Sequence, residues 1–310
     1  MKTRTISYKI TGKQAGLTAE QFLRKEGLSN HIMISLKRTD RGILLNGIPV
    51  LALTPLTEGD LLTINYTESD SSLSIEPVYI PFSILYENED FMIINKPADL
   101  AVHPSLRHHD DTLANGLSWY FKEKGESFVF RAISRLDRDT TGLLVIAKNM
   151  VSACLLSTQV QQRLIEKEYL AAASGLIPDS GTIDAPISRV SDSVIERTVD
   201  FSSGEPARTH YERLTYDPVS DLSLARIRLE TGRTHQIRVH FRYIGHPLPG
   251  DFLYNPDFSK IQRQALHSWK LTFFHPITKA PMQFTAPVPD DIKGLFPSYY
   301  KASGVSTKPI

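Results

Sequence analysis

Short apolar runs rich in β-branched and aromatic residues recur along most of this 310-residue chain, without a regular succession of amphipathic helices between them. Parallel strands need a helical crossover at every step, so the pattern predicts an α+β protein built on a mainly antiparallel, mixed sheet. The strand candidates are Ile84–Tyr86, Phe91–Ile94, Leu143–Ala147, Tyr169–Ala173, Thr209–Leu214, Leu222–Leu229 and Lys270–Phe274. Three windows read as helices: residues 112–124, 150–163 and 234–244, the last with Ile237, Phe241 and Ile244 on one face.

A polar stretch at residues 67–74 interrupts this pattern and offers almost nothing to a core. Before it, residues 17–26 and 31–38 have helical spacing, and Ile43–Leu45, Val50–Leu53 and Leu61–Tyr66 read as strands around the turn signals Asn46-Gly47 and Gly59-Asp60. The expected organisation is a small α+β domain over residues 1–75, a main domain over 76–300 and a flexible tail over 301–310. The polar linker predicts few contacts across the first boundary.

Hydrophobic residues make up 41% of the chain and charged residues 22%, a composition that folds. Cys154 is the only cysteine, which excludes an internal disulfide, a thiolate zinc site and an iron–sulfur cluster. The opening MKTRTISYKI lacks a signal-peptide core, and the apolar run Leu143–Ala147 is far too short to span a bilayer. A cytoplasmic protein with no membrane partner is expected. With 35 Lys and Arg against 34 Asp and Glu, a polyanion would have to be held by a local basic surface. Residues 224–249 supply one, with Arg226, Arg228, Arg233, Arg238 and Arg242 against Glu230 alone.

Chemistry concentrates in two segments. Arg131–Gly142 packs three arginines with Asp137 and Asp139 just before an apolar strand. Thr231–His240, followed by Gly245–Asp251, sets Arg233 at a turn and then His235, Arg238 and Arg242 on one polar side of a helix. His235 and His240 lie on different faces without an intervening Glu, and His103, His108 and His109 read as loop residues, so no metal is expected.

In this order, Asn95-Lys-Pro-Ala-Asp-Leu-Ala-Val-His-Pro104, Ser134-Arg-Leu-Asp-Arg-Asp-Thr-Thr-Gly142 with the strand after it, Glu166-Lys-Glu-Tyr169 to Gly175, Gly204-Glu-Pro-Ala-Arg-Thr209, Thr231–His240 and Ala265-Leu-His267 resemble the successive motifs of RluA-type RNA pseudouridine synthases. Ser134 and Thr141 stand where that family usually has His and Ser. The resemblance spans roughly residues 80–290. It implies uridine isomerisation in structured RNA, ribosomal or transfer, by a monomer without a cofactor. It puts the essential carboxylate on Asp137, the active-site tyrosine on Tyr169 and the arginine partner on Arg238. Residues 1–75 resemble a degenerate ribosomal-protein-S-four-type RNA-binding domain through the helix pair, Leu45-Asn46-Gly47 and Leu56–Asp60, with Lys37, Arg38 and Arg41 as its basic residues.

These residue types suit the reaction. A carboxylate can attack the anomeric carbon, as in a retaining glycosidase, or take a proton from the neighbouring ribose carbon. Arg238 would orient it by paired hydrogen bonds, and Tyr169 offers a stacking ring and a hydroxyl. The nucleotide must be flipped out of its stack, with Arg135 placed to fill the gap. Arg233, His235, Gln236 and Arg242 would contact RNA. Two other readings fit the same segments: a non-catalytic RNA-binding or ribosome-assembly factor, and a small-molecule glycosidase using Asp137 with Asp139.

Overall fold

The computed structural model describes residues 2–68, 75–105, 108–191 and 193–302. The polar stretch at 69–74 and the tail at 303–310 lie outside them. The first unit runs β1 (Lys2–Lys9), α1 (Ala19–Lys25), α2 (Asn30–Arg38), β2 (Ile43–Leu45), β3 (Ile48–Pro49) and β4 (Leu61–Glu68). The rest follows as β5 (Ser83–Glu87), β6 (Phe91–Lys96), α3 (Leu113–Glu123), β7 (Thr141–Ala147), α4 (Met150–Gln161), β8 (Glu166–Ser174), β9 (Ser180–Asp184), β10 (Ile187–Arg189), β11 (Arg197–Val199), β12 (Arg208–Asp217), β13 (Leu222–Leu229), α5 (Gln236–Tyr243), β14 (Leu266–Phe274), β15 (Pro281–Thr285), α6 (Asp290–Leu295) and α7 (Pro297–Ala302).

Local chemistry sets many of these bounds. Thr112 caps α3 in a reciprocal box with Asn115, and Asn149 caps α4 by accepting from the Ser152 amide at 2.8 Å. Asn46 and Gly47 both have positive φ, as a two-residue hairpin between β2 and β3 requires. The chain beyond that hairpin departs from expectation. Residues 50–53 are not a strand, and Leu51 and Leu53 are exposed. Strand β3 ends at Pro49, although the Val50 amide still donates to the Ile43 carbonyl at 3.1 Å.

The large sheet has the order β5-β6-β7-β14-β8-β13-β12-β9, with β15 added beside β14. Strands β7 and β14 run parallel, and the other strand pairs among the described residues are antiparallel. The expected α+β class with a mainly antiparallel sheet is what the chain forms. Helices α3 and α5 cover one face, where Leu113, Leu117, Ile237 and Phe241 join Tyr169 and Ala171 in one core cluster.

The first boundary is not sparse. Strand β4 continues through Thr67 and Glu68, where the sequence suggested linker. Val151 and Leu155 of α4 belong to the same apolar cluster as Ile6, Phe22, Leu23 and Ile64 of the first unit. Arg4 grips buried Asp90 with two bonds of 2.8 and 2.9 Å, and Glu68 accepts from the Met150 amide at 2.6 Å and from Arg131 at 3.2 Å. At the other end, Lys301 and Ala302 complete α7 and are not tail. No helix among the described residues is long and apolar enough to cross a membrane.

Candidate active site

The segment before β7 is a short turn held in place by its own backbone. The Thr140 amide donates to the Asp137 carbonyl at 3.1 Å, and Gly142 takes φ +107 where β7 runs against β14. A Cβ at Gly142 would come within 2.1 Å of the Ser268 carbonyl oxygen, so only glycine fits. Two buried cations pin the same turn through the Arg138 and Asp139 carbonyls, and the first also ties it to the segment after β6. Lys96 Nζ donates to the carbonyls of Pro97, Leu100 and Arg138 at 2.8, 2.9 and 2.6 Å, and Arg263 donates to that of Asp139 at 3.2 Å. Leu136 joins the core cluster, and Asp137 lines a cleft of about 660 Å³. That volume suits a small-molecule or nucleotide fragment.

Arg238 reaches this carboxylate from α5, 101 residues away in sequence. Its Nη1 donates to Asp137 Oδ2 at 2.9 Å. Its other edge is committed to Asp251, with Nε to Oδ2 at 2.6 Å and Nη2 to Oδ1 at 2.7 Å. The paired contact is therefore with Asp251, and Asp137 receives a single bond. Asp251 is fully buried and also accepts from the amides of Leu253 and Tyr254, which fixes the guanidinium from behind. Burial alone would lower the Arg238 pKa, but Asp251 and Asp137 outweigh it and raise the value above the ordinary one.

Tyr169 enters from β8, nearly buried and lining the cleft. Burial, then the charge of Asp137, pushes its hydroxyl well above the ordinary phenol range, so it stays protonated. His235 stands just before α5 in a left-handed conformation, φ +59, with Nδ1 at 2.9 Å from the Tyr254 hydroxyl and Nε2 at 3.9 Å from Asp137 Oδ2. Burial, against the pull of Asp137, lowers its pKa to about 4, so the ring is neutral at physiological pH.

Every site residue expected from the sequence lines the cleft except Arg242, which is exposed and faces Glu196 at 3.5 Å. Arg135 is exposed at the rim. Arg233 is held by Glu205 and by the Pro206 carbonyl. Gln236 is a scaffold residue. Its oxygen accepts from Thr231 and the Arg233 amide, and its nitrogen donates to the Arg208 carbonyl and Thr209, leaving no group for RNA. Asp139 is buried beside Arg138 and lies off the cleft lining, so the two-carboxylate glycosidase arrangement is absent. His240 is spent on Thr209 and the Ala185 carbonyl. No metal-ligand cluster occurs among the described residues.

Comparison with known proteins decides the family. A family profile described as RNA pseudouridylate synthase matches residues 90–243. An uncharacterized RNA pseudouridine synthase of Bacillus subtilis strain 168, YjbO, is 38% identical over 280 residues, covering 90% of this chain and 98% of that one. The chain belongs to the RNA pseudouridylate synthases. The ribosomal large subunit pseudouridine synthase D of Escherichia coli K12 is 38% identical over 268 residues, 82% of this synthase and 81% of that one. Among solved structures, human RNA pseudouridylate synthase domain containing 1 superposes with a TM-score of 0.57 at 26% identity, over 74% of this chain and 97% of that one. The enzyme isomerises uridine in RNA.

Two residues of this synthase escape sequence reasoning. Asp251 ends the Gly245–Asp251 segment, but nothing local marks it as the partner of Arg238. Lys96 falls in the Asn95-Lys-Pro motif, but nothing along the chain says what its charge, buried at the end of an apolar strand, holds.

Proposed function

We propose that this synthase acts on large-subunit ribosomal RNA, as a monomer, with Asp137 as the residue that engages the ribose of a flipped uridine. The carrying observation is the Asp137 carboxylate held by Arg238, itself fixed by Asp251, in a cleft that Tyr169 also lines. In the reaction the bond from N1 of uracil to the anomeric carbon breaks, the base turns, and its C5 joins that carbon. The C5 hydrogen leaves as a proton. Arg238 orients the Asp137 oxygen toward the sugar, and neutral, hydroxyl-bearing Tyr169 stacks on the detached base and relays a proton near the ribose. Exposed Arg135 takes the space that the flipped nucleotide vacates. The relative named for ribosomal large subunit modification, alike over most of both chains, supports the choice of RNA.

The test is release of tritium from large-subunit RNA labelled at C5 of uridine. Wild-type protein should release it, and Asp137→Asn should not, while binding the RNA as before. A non-catalytic RNA-binding factor would release none with either protein.

A further inference from the structure

Lys167 is a cleft residue to which neither the sequence nor the reaction gives a task. On β8, Tyr169, Ala171 and Ala173 point into the core cluster under the cleft, and Leu170 and Ala172 point into the cluster on the opposite face. That alternation puts Lys167 on the face of Tyr169, about 7 Å along the strand. Exposure rises from Tyr169 through Lys167 to Glu166, so Lys167 lies toward the mouth. Both residues line the cleft with Asp137.

The neighbouring acids do not serve it. Glu168, which also lines the cleft, is taken by Arg228, whose Nε and Nη2 donate to it at 3.0 and 2.7 Å. Glu230, across the cleft, is shared by His210, Arg208 and Arg163. Among the described residues no carboxylate lies within ion-pair distance of Lys167, whereas Arg163, Arg228 and Arg233 around the same cleft all have one. Burial, with no negative charge to oppose it, lowers the Lys167 pKa to about 8. A partly desolvated ammonium without a counter-ion is unfavourable, and a ligand that brings the missing charge relieves it.

We propose that Lys167 binds a backbone phosphate flanking the target uridine as the nucleotide enters the cleft. The proposal rests on the RNA reading above. A phosphate fits better than the base, because uracil is neutral and the deeper position beside Asp137 belongs to Tyr169. A compact ammonium suits a phosphate, which accepts a point charge without a preferred fork.

The experiment compares full-length wild type, Lys167→Met, Lys167→Gln and Lys167→Arg in filter binding and tritium release, using C5-labelled large-subunit RNA at about 50 to 200 mM KCl. Lys167→Met and Lys167→Gln should each raise Kd and KM about tenfold. The slope of log affinity against log salt should shrink by about 0.7 to 0.9. Lys167→Arg should restore both, and kcat should stay within about threefold of wild type throughout. An unchanged Kd and salt slope in the folded Met or Gln variant overturns the proposal. A loss confined to kcat also overturns it, and would move Lys167 to the base or sugar. Should wild type release no tritium, the choice of large-subunit RNA as substrate fails, while the binding arm still decides whether Lys167 meets a phosphate.

Discussion

Arg238→Lys keeps the charge and removes the geometry, so it separates an arginine that positions Asp137 from one that merely attracts RNA. The guanidinium makes three charge-assisted bonds, two to Asp251 and one to Asp137. A lysine ammonium at the end of a flexible stem cannot span both carboxylates in one plane. It should stay with Asp251, the buried partner that most needs a counter-charge, and leave Asp137 free. Each such bond contributes about 1.5–3 kcal/mol. Losing the one to Asp137 therefore lowers turnover roughly 10- to 150-fold. The comparator is Arg242→Lys, whose one ion pair among the described residues is a half-exposed contact of 3.5 Å and contributes about 0.5 kcal/mol or less. Single-turnover tritium release at saturating enzyme reads the first effect, and filter binding checks that RNA affinity is retained in both variants. Equal and small losses at the two positions would refute the reasoning and reduce the arginine face to an electrostatic grip.

Lys96→Met strips the ammonium that ties the Arg138 carbonyl, beside Asp137, to those of Pro97 and Leu100, and should lower stability by about 3 kcal/mol or more and turnover at least tenfold. A urea midpoint equal to wild type would contradict this. Deleting residues 1–75 uncovers Val151 and Leu155, at roughly 1.5–3 kcal/mol each, and leaves Asp90 without Arg4. The remaining chain should unfold well before the full protein in urea, and coincident transitions would show that the interface contributes nothing. Acid should also destabilise the fold. His235 and His267, with pKa values lowered by burial to about 4 and about 3, stay neutral while the unfolded chain protonates near 6.5. Their stabilisation is complete above about pH 6.5 and is lost as pH falls toward 4 and then 3, by several kcal/mol in all. A flat stability profile from pH 7 to 4 would count against it. Asp139→Asn should cost far less activity than Asp137→Asn, because its carboxylate lies off the cleft; equal losses in tritium release would reverse the assignment.

Much of this protein is legible along the chain because local interactions act within a few residues. The capping Thr112 and Asn149, the Asn46-Gly47 turn and the apolar runs of β8 and β13 fix backbone conformation without help from distant partners. Asp137 is likewise marked by its immediate neighbours and by Gly142, whose positive φ the segment requires. Contacts between remote segments have no such local signature. Only the tertiary structure makes Asp251 the paired anion of Arg238, turns Gln236 inward and lays the Lys96 ammonium on the Arg138 carbonyl. It alone decides that α4 serves two cores, with Val151 and Leu155 toward the first unit and Leu156 toward the main sheet. A helix apolar on two sides shows that it is buried without naming its partners. Those partners were set by the closure of the sheet, which brings β7, β8 and β14 side by side from segments far apart in sequence.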